Sequence, residues 1–138
     1  MDIVYEKVRK DAAPLRVAYD AATFDIPVSA PPWVIDPGEV QKIPTGYRFD
    51  LPAGYDMLIR PRSSAFCSGL NVIGHIDNDY TGEVFVVLHN VSSKRVEITN
   101  GQYFAQCRLI ERVKPRLIEA VVEKVTDRGQ KGFGSSGR

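Results

Sequence analysis

A chain of 138 residues is the length of one ordinary domain, and 43% hydrophobic residues supply a core without a metal or disulfide framework. Eighteen basic against seventeen acidic residues leave a formal charge of +1, which excludes the strongly basic balance of a nucleic-acid groove. A small anionic ligand remains admissible, because its site needs only a few placed arginines.

No apolar run approaches the ~18 residues of a membrane span. Met1 to Lys7 has neither the basic start nor the apolar run of a signal peptide. The chain therefore reads as a soluble, cytoplasmic protein with no nucleic-acid or membrane partner. Cys67 and Cys107 form no C-x-x-C pair and have no histidine cluster beside them, so they read as two buried or half-buried thiols of a reducing compartment.

Short runs of β-branched and aromatic residues, punctuated by turn chemistry, predict strands along most of the chain. Ile3 to Val8 is the first. Ala30-Pro31-Pro32 interrupts the pattern, and Trp33-Val34-Ile35 then leads into the turn Asp36-Pro37-Gly38. Val40 to Ile43, Tyr47 to Leu51 and Tyr55 to Arg60 follow, separated by Pro44-Thr45-Gly46 and Pro52-Ala53-Gly54. Ser63 to Gly69 is the one segment suited to a short helix. Val84 to Leu88 is continuously apolar, which predicts burial on both faces. Val96 to Thr99 and Tyr103 to Val113 flank Asn100-Gly101, a short-hairpin signal. Leu117 to Val125 is ambiguous between helix and strand, and its neighbours favour a last strand. Many short strands without helical periods predict an all-β sandwich or barrel.

The final stretch, Asp127 to Arg138, changes character. Its glycines and serines surround a single aromatic, Phe133, and cannot bury enough surface to fold alone. The expected organisation is a β core over residues 1–126 and an arm over 127–138, either frayed or able to fold over a charged ligand with its amides and hydroxyls.

Two segments have the residue types for phosphate chemistry. Asp77 follows the mainly apolar run Val72 to Ile76 and enters the turn Asp77-Asn78-Asp79-Tyr80-Thr81-Gly82. A carboxylate on that rigid edge suits a general base acting on water. Pro61-Arg62-Ser63-Ser64 leaves a strand and opens the predicted helical turn, offering amides, hydroxyls and a guanidinium to a phosphate.

The order of such segments resembles that of the homotrimeric dUTPase family, which carries five short motifs in fixed sequence. Ala18-Tyr19-Asp20-Ala21-Ala22 is similar to the first and Arg60-Pro61-Arg62-Ser63-Ser64-Ala65 to the second. Asn71 to Gly82 contains the Gly-x-Ile-Asp-x-Asp-Tyr-x-Gly signature of the third. Gly101 to Gln106 resembles the fourth, and Arg128-Gly129-x-x-Gly132-Phe133-Gly134-Ser135-Ser136-Gly137 the fifth.

The resemblance implies a jelly-roll-like β fold and a homotrimer with active sites at the subunit interfaces. It also implies hydrolysis of dUTP to dUMP and pyrophosphate, which limits uracil in DNA and supplies dUMP for dTMP synthesis. Asp77 then matches the aspartate that activates the attacking water, and Tyr80 the ring beneath the deoxyribose. Asn71, with Gly74, His75, Ile76 and Asp77, matches the hairpin that reads uracil, bordered by Phe85. Backbone donors and acceptors at that edge reject cytosine, because the wrong base leaves buried polar groups unpaired. Arg62, Ser63, Ser64 and Gln106 match phosphate contacts. Arg128, Gly134, Ser135 and Ser136 match groups that wrap phosphates, and Phe133 the ring that stacks on the base. Mg²⁺ is implied on the triphosphate, with Asp20 as the acidic position reaching it through water.

The chain departs from the family pattern in places. Ser64 replaces a commoner glycine, Tyr103 stands where an arginine is usual, and the Ser63 to Asp77 stretch is shorter than usual. His75 is an unusual neighbour of the base edge. The rival closest in fold, a dCTP deaminase, carries a catalytic glutamate ten residues after the aspartate; that position here is Val87, which cannot move a proton. Two further alternatives are a pyrophosphatase of the same fold for another pyrimidine deoxynucleotide and a regulatory trimer that retains the fold without catalysis.

Overall fold

The computed structural model describes residues 1–30 and 32–137; Pro31 of the expected break and Arg138 of the expected arm lie outside them. Among the described residues the chain forms ten strands and one short helix. The strands are β1 (Val4–Lys7), β2 (Phe24–Pro27), β3 (Trp33–Ile35), β4 (Val40–Pro44), β5 (Tyr47–Asp50), β6 (Tyr55–Pro61), β7 (Leu70–Ile76), β8 (Phe85–Asn90), β9 (Val96–Ile98) and β10 (Tyr103–Glu111). The helix α1 is Ser63–Cys67. A six-stranded sheet runs β2-β10-β6-β7-β8-β4, and the pairs β1-β5 and β3-β9 complete the domain.

The core lies between these sheets, and each of them contributes to it. Ile26, Ile43, Met57, Ile59, Val86, Leu88 and Cys107 come from the large sheet, Tyr47 and Phe49 from β5, and Ile35 and Ile98 from the β3-β9 pair. Alternation along the strands puts one set of side chains inward, as a sheet with one covered face requires. This is the all-β, jelly-roll-like architecture that the sequence predicts.

Four sequence expectations change. Val84 to Leu88 is not buried on both faces: Val84, Val86 and Leu88 are buried, while Phe85 and Val87 are half-buried on the opposite side. Asn100-Gly101 does form a turn, with Gly101 at φ +83°, but the strands it joins do not pair. β9 pairs with β3, whereas β10 lies between β2 and β6, so this turn hands the chain from one sheet to another. Leu117 to Val125 forms no strand. Its apolar side chains find no cover within the chain: Leu117, Ile118, Val121, Val122 and Val125 all lie exposed. The two thiols also differ from one another. Cys67 is exposed, while Cys107 is buried, and that burial pushes its pKa up.

Asn90 is the main polar anchor of the core. It is fully buried, its amide donates to Ile35 O (3.0 Å) and Lys94 O (2.7 Å), and its Oδ1 accepts from Ser92 N (3.0 Å) and Ser92 Oγ (2.7 Å). Asn90→Ala leaves these partners unsatisfied in a dry interior, and is expected to cost about 2–4 kcal/mol. The midpoint of guanidinium unfolding measures this, and a loss below about 0.5 kcal/mol would contradict the assignment.

Candidate functional site

The turn after β7 is built from its glycines outward. Gly74 pairs with Ile59 of β6, and a Cβ there would lie 2.9 Å from the Ile59 Cβ, so only glycine allows the two strands to close. At Gly82 a Cβ would lie 2.7 Å from Tyr80 Oη and 2.8 Å from Cζ, so the ring of Tyr80 rests where a side chain would be. Tyr80 Oη donates to Glu83 O (2.7 Å), and Tyr80 N–H donates to Asp77 O (3.0 Å). Both ends of the turn are then tied to other parts of the fold. The amide of Asn78 donates to Pro52 O (2.9 Å) and Tyr55 O (2.7 Å), and Glu83 accepts from Gly46 N–H (3.0 Å) and Arg9 Nε (2.7 Å).

That pinning presents Asp77. Its carboxylate is 73% exposed, at the mouth of a cleft of about 260 Å³ lined by Lys42, His75, Ile76, Asp77, Tyr80 and Phe85. The structure thus gathers five of the expected site residues in one place. Asn71 and Gly74 line the neighbouring groove with Arg60, Phe66 and Ile73. Asn71 Oδ1 accepts from Val72 N–H (3.0 Å).

The phosphate-type residues assemble on the other side of β6. Because β10 lies between β2 and β6, Gln106 pairs with Asp25 on one side and Arg60 on the other. Gln106 donates to Pro61 O (3.2 Å), and Arg62, the residue preceding α1, donates to Tyr103 O (3.2 Å). Asp25 is buried, and its Oδ2 takes both Arg62 Nε (3.2 Å) and Arg16 Nε (3.1 Å). Ser63 and Ser64 are exposed at the start of α1. Asp20 is exposed in the Tyr19-Asp20 turn, so the carboxylate joined to Arg62 is Asp25.

Sequence reasoning missed three residues here. Asp25 carried a weak signal, an acid between two apolar residues of an unassigned strand. Arg16 carried none; its guanidinium sits 3.6 Å over the ring of Tyr103, the residue that stands where the family usually has an arginine. Asp56, in β6, accepts Asn78 N–H (2.8 Å) and lies 3.2 Å from His75 Nε2.

The arm stays apart from these groups. Among the described residues its hydrogen bonds are local, such as Arg128 Nε to Lys131 O (2.7 Å) and Gly129 N–H to Thr126 Oγ1 (3.0 Å). Phe133 is fully exposed, as are Arg128, Gly134, Ser135 and Ser136. One chain therefore brings together the Asp77 cleft and the Arg62-Gln106 seat as separate features and leaves the arm unplaced against either.

Asp56, His75 and Asp77 offer one ligand-type atom each within 4.8 Å of one another. Asp56 is already engaged by the Asn78 backbone N–H and stands 3.6 Å from Arg112 Nε, so the trio offers a metal little beyond the exposed carboxylate of Asp77. It does not suit Mg²⁺, which prefers an oxygen shell that retains several waters. Partial burial is the strongest single influence on Asp56 and opposes its charge. The Asn78 N–H, the His75 hydrogen bond and the charges of Arg112 and His75 together outweigh it and hold the carboxyl below its ordinary 3.8.

A small all-β domain with an exposed turn carboxylate and a separate arginine seat defines the class as a β-fold enzyme acting on a phosphorylated small molecule. The family model for dUTPase matches residues 10–137. The deoxyuridine 5'-triphosphate nucleotidohydrolase of Hydrogenobaculum sp. (strain Y04AAS1) is 38% identical, over 99% of this chain and 99% of that protein. That of Nautilia profundicola is also 38% identical, over the whole of both. Among solved structures, a Staphylococcus bacteriophage 80alpha dUTPase with dUpNHpp superimposes with a TM-score of 0.85 at 25% identity, over 99% of each chain. A mutant dUTPase from phage phi11 of S. aureus, described with a structural Mg(II) ion, gives 0.78 at 21% identity over 90% of this chain and 98% of that one. The chain belongs to the dUTPase family.

Because the folded-state pKa of Asp56 lies below its unfolded value, the unfolded chain takes up the proton first on acidification. The stability this carboxylate adds is complete above the unfolded pKa, near 3.8, and is lost as pH falls through the folded value. Asp56→Asn is expected to flatten the decline of stability in that acid range, measured by unfolding at a series of pH values; an unchanged decline would contradict the network.

Proposed function

We propose that this chain hydrolyses dUTP to dUMP and pyrophosphate, as a cytoplasmic homotrimer with Mg²⁺ carried on the substrate. The observation that carries the reading is Asp77, an exposed carboxylate on a turn tied down at both ends, in a chain whose curated relatives are dUTP nucleotidohydrolases. Asp77 acts as general base on the water that attacks the α-phosphorus. Tyr80 packs under the deoxyribose, where a 2′-hydroxyl would clash, with Phe85 beside it. Asn71 and the backbone of Gly74 to Asp77 read the uracil edge. Arg62, Ser63, Ser64 and Gln106 hold phosphate oxygens.

The chain's donor set suits a metal held mainly by the triphosphate. Both arginines bond Oδ2 of Asp25, so that buried carboxylate is already neutralised by two guanidinium groups. Asp20, exposed in the Tyr19-Asp20 turn, keeps the proposed water-mediated contact with that metal. Bound there, Mg²⁺ would neutralise the charge of the departing pyrophosphate.

The trimer is supported by two observations. The phosphate seat, the Asp77 cleft and the arm do not close into one pocket within a single chain. Apolar Val113, Leu117, Ile118, Val121, Val122 and Val125 lie exposed along the segment that leads to the arm, a face suited to burial against another copy. In that assembly the core, residues 1–126, holds the chemistry, and the arm, 127–138, closes over a bound nucleotide. There Phe133 stacks on the base, and Arg128, Gly134, Ser135 and Ser136 wrap the phosphates.

Pyrophosphate release tests the reading. Assayed with dUTP, dCTP, dTTP and UTP, the protein is expected to turn over dUTP alone, and Asp77→Asn to lower kcat by about 10²–10⁴. An unchanged rate in the variant would remove the mechanism, and inactivity of both would favour a regulatory binding trimer. Rapid turnover of another nucleotide would favour a pyrophosphatase of different base preference. A chain ending at Thr126 is expected to keep its fold and lose most of its activity, whereas full activity would make the arm a frayed end.

A further inference from the structure

The ladder between β6 and β7 runs Ile59↔Gly74, Leu58↔His75, Met57↔Ile76. Continued by one residue, it sets Asp56 opposite Asp77. Like charges directly opposite on antiparallel strands repel. The side chain that intervenes is His75, two residues from Asp77 and on the same strand face. Its Nε2 lies 3.2 Å from Asp56 Oδ2 and 3.6 Å from Asp77 Oδ1. With both neighbours carboxylates, Nε2 carries the proton and donates to Asp56, since a lone pair there would face two acceptors.

We infer that His75 is a positioning residue for the hydrolytic reaction: its imidazole separates Asp77 from Asp56 and fixes the carboxylate that acts as base. The inference rests on the role proposed for Asp77. The surroundings of the imidazole fit the role. On the far side of Asp56 stand the Asn78 N–H (2.8 Å) and Arg112 Nε (3.6 Å), so that carboxylate is held in place whatever Asp77 does. Across the cleft, Lys42 is engaged over the ring of Phe85 (4.4 Å). Glu83 is bonded to Arg9 and the Gly46 amide, and the Tyr80 hydroxyl donates to Glu83 O. None of these takes the place between the two carboxylates. Asp77 itself remains 73% exposed, with room for water.

The test is the pH dependence of kcat/KM for dUTP in four variants, with folding checked by circular dichroism. His75→Thr removes the separator; it is expected to lower the plateau kcat about tenfold, leave KM within about twofold, and move the acid limb up by about one pH unit. His75→Gln keeps an N–H donor at similar reach and is expected to recover most of both. Asp56→Asn placed in the His75→Thr background removes the opposing charge and is expected to return the acid limb towards the wild-type position, which a merely structural role would not do. A His75→Thr profile that overlays the wild type, or a limb that Asp56→Asn fails to restore, would overturn the inference. Asp77→Asn, run in parallel, separates the two readings. An active Asp77→Asn removes the role of Asp77 itself, while an inactive one beside an unchanged His75→Thr overturns only the role of His75.

Discussion

The constraint on which the rest of the site depends is the tie between Asn78 and the β5-β6 turn. A six-residue turn rich in Asp and Asn has many conformations available, and ordering it costs about 1–2 kcal/mol of backbone entropy per residue. The Asn78 amide closes on two carbonyls, Pro52 O and Tyr55 O, and its N–H closes on Asp56. Those partners sit in and beside the strand that pairs with β7, so the turn inherits the rigidity of the large sheet. At its other end, Glu83 fastens it to Gly46 and Arg9. Asp77 can then be both exposed and fixed, which a base acting on water needs and a free loop does not supply.

Strand order does for the proposed phosphate seat what the tie does for Asp77. Placing β10 between β2 and β6 brings together Asp25, Gln106 and Arg62, which are far apart in the sequence. A buried carboxylate with two guanidinium partners is a stiff unit, because leaving either charge alone would be costly. Asp25 therefore holds Arg62 in place and, through Arg16, places a second guanidinium over Tyr103. The Arg16 guanidinium, from a different stretch of the chain, lies 3.6 Å over the ring of Tyr103, where an arginine is usual in the fourth motif.

Local chemistry was readable in the sequence wherever the residues involved are neighbours. Strand periodicity located β3 to β6 and β9 nearly to the residue and β8 to within two, and the segment from Ser63 matched the helix. The motif around Asp77 could be read because its residues run consecutively in the chain, with Gly82 lying under the ring of Tyr80 two residues before it. What failed depends on partners distant in the chain. Asn100-Gly101 has hairpin chemistry, but the flanking strands find better partners in different sheets. Leu117 to Val125 has the composition of a strand, yet it pairs with no strand of its own chain and its apolar residues lie exposed. Asp25 lies in a strand that periodicity did not mark, and only the sheet shows that it faces Arg62. Asp56 gave no signal, because its meaning lies in being opposite Asp77.

The proposed trimer would bring together the parts of the site that one chain leaves apart. Mixed oligomers of Asp77→Asn, with the arm intact, and of a chain ending at Thr126, with Asp77 intact, measure this most directly. Each variant alone is expected to be nearly inactive on dUTP. Mixed and reassembled, they are expected to regain pyrophosphate release, because some sites would combine Asp77 from one chain with the arm of another. Reassembled mixtures no more active than the separate variants would contradict a site shared between subunits.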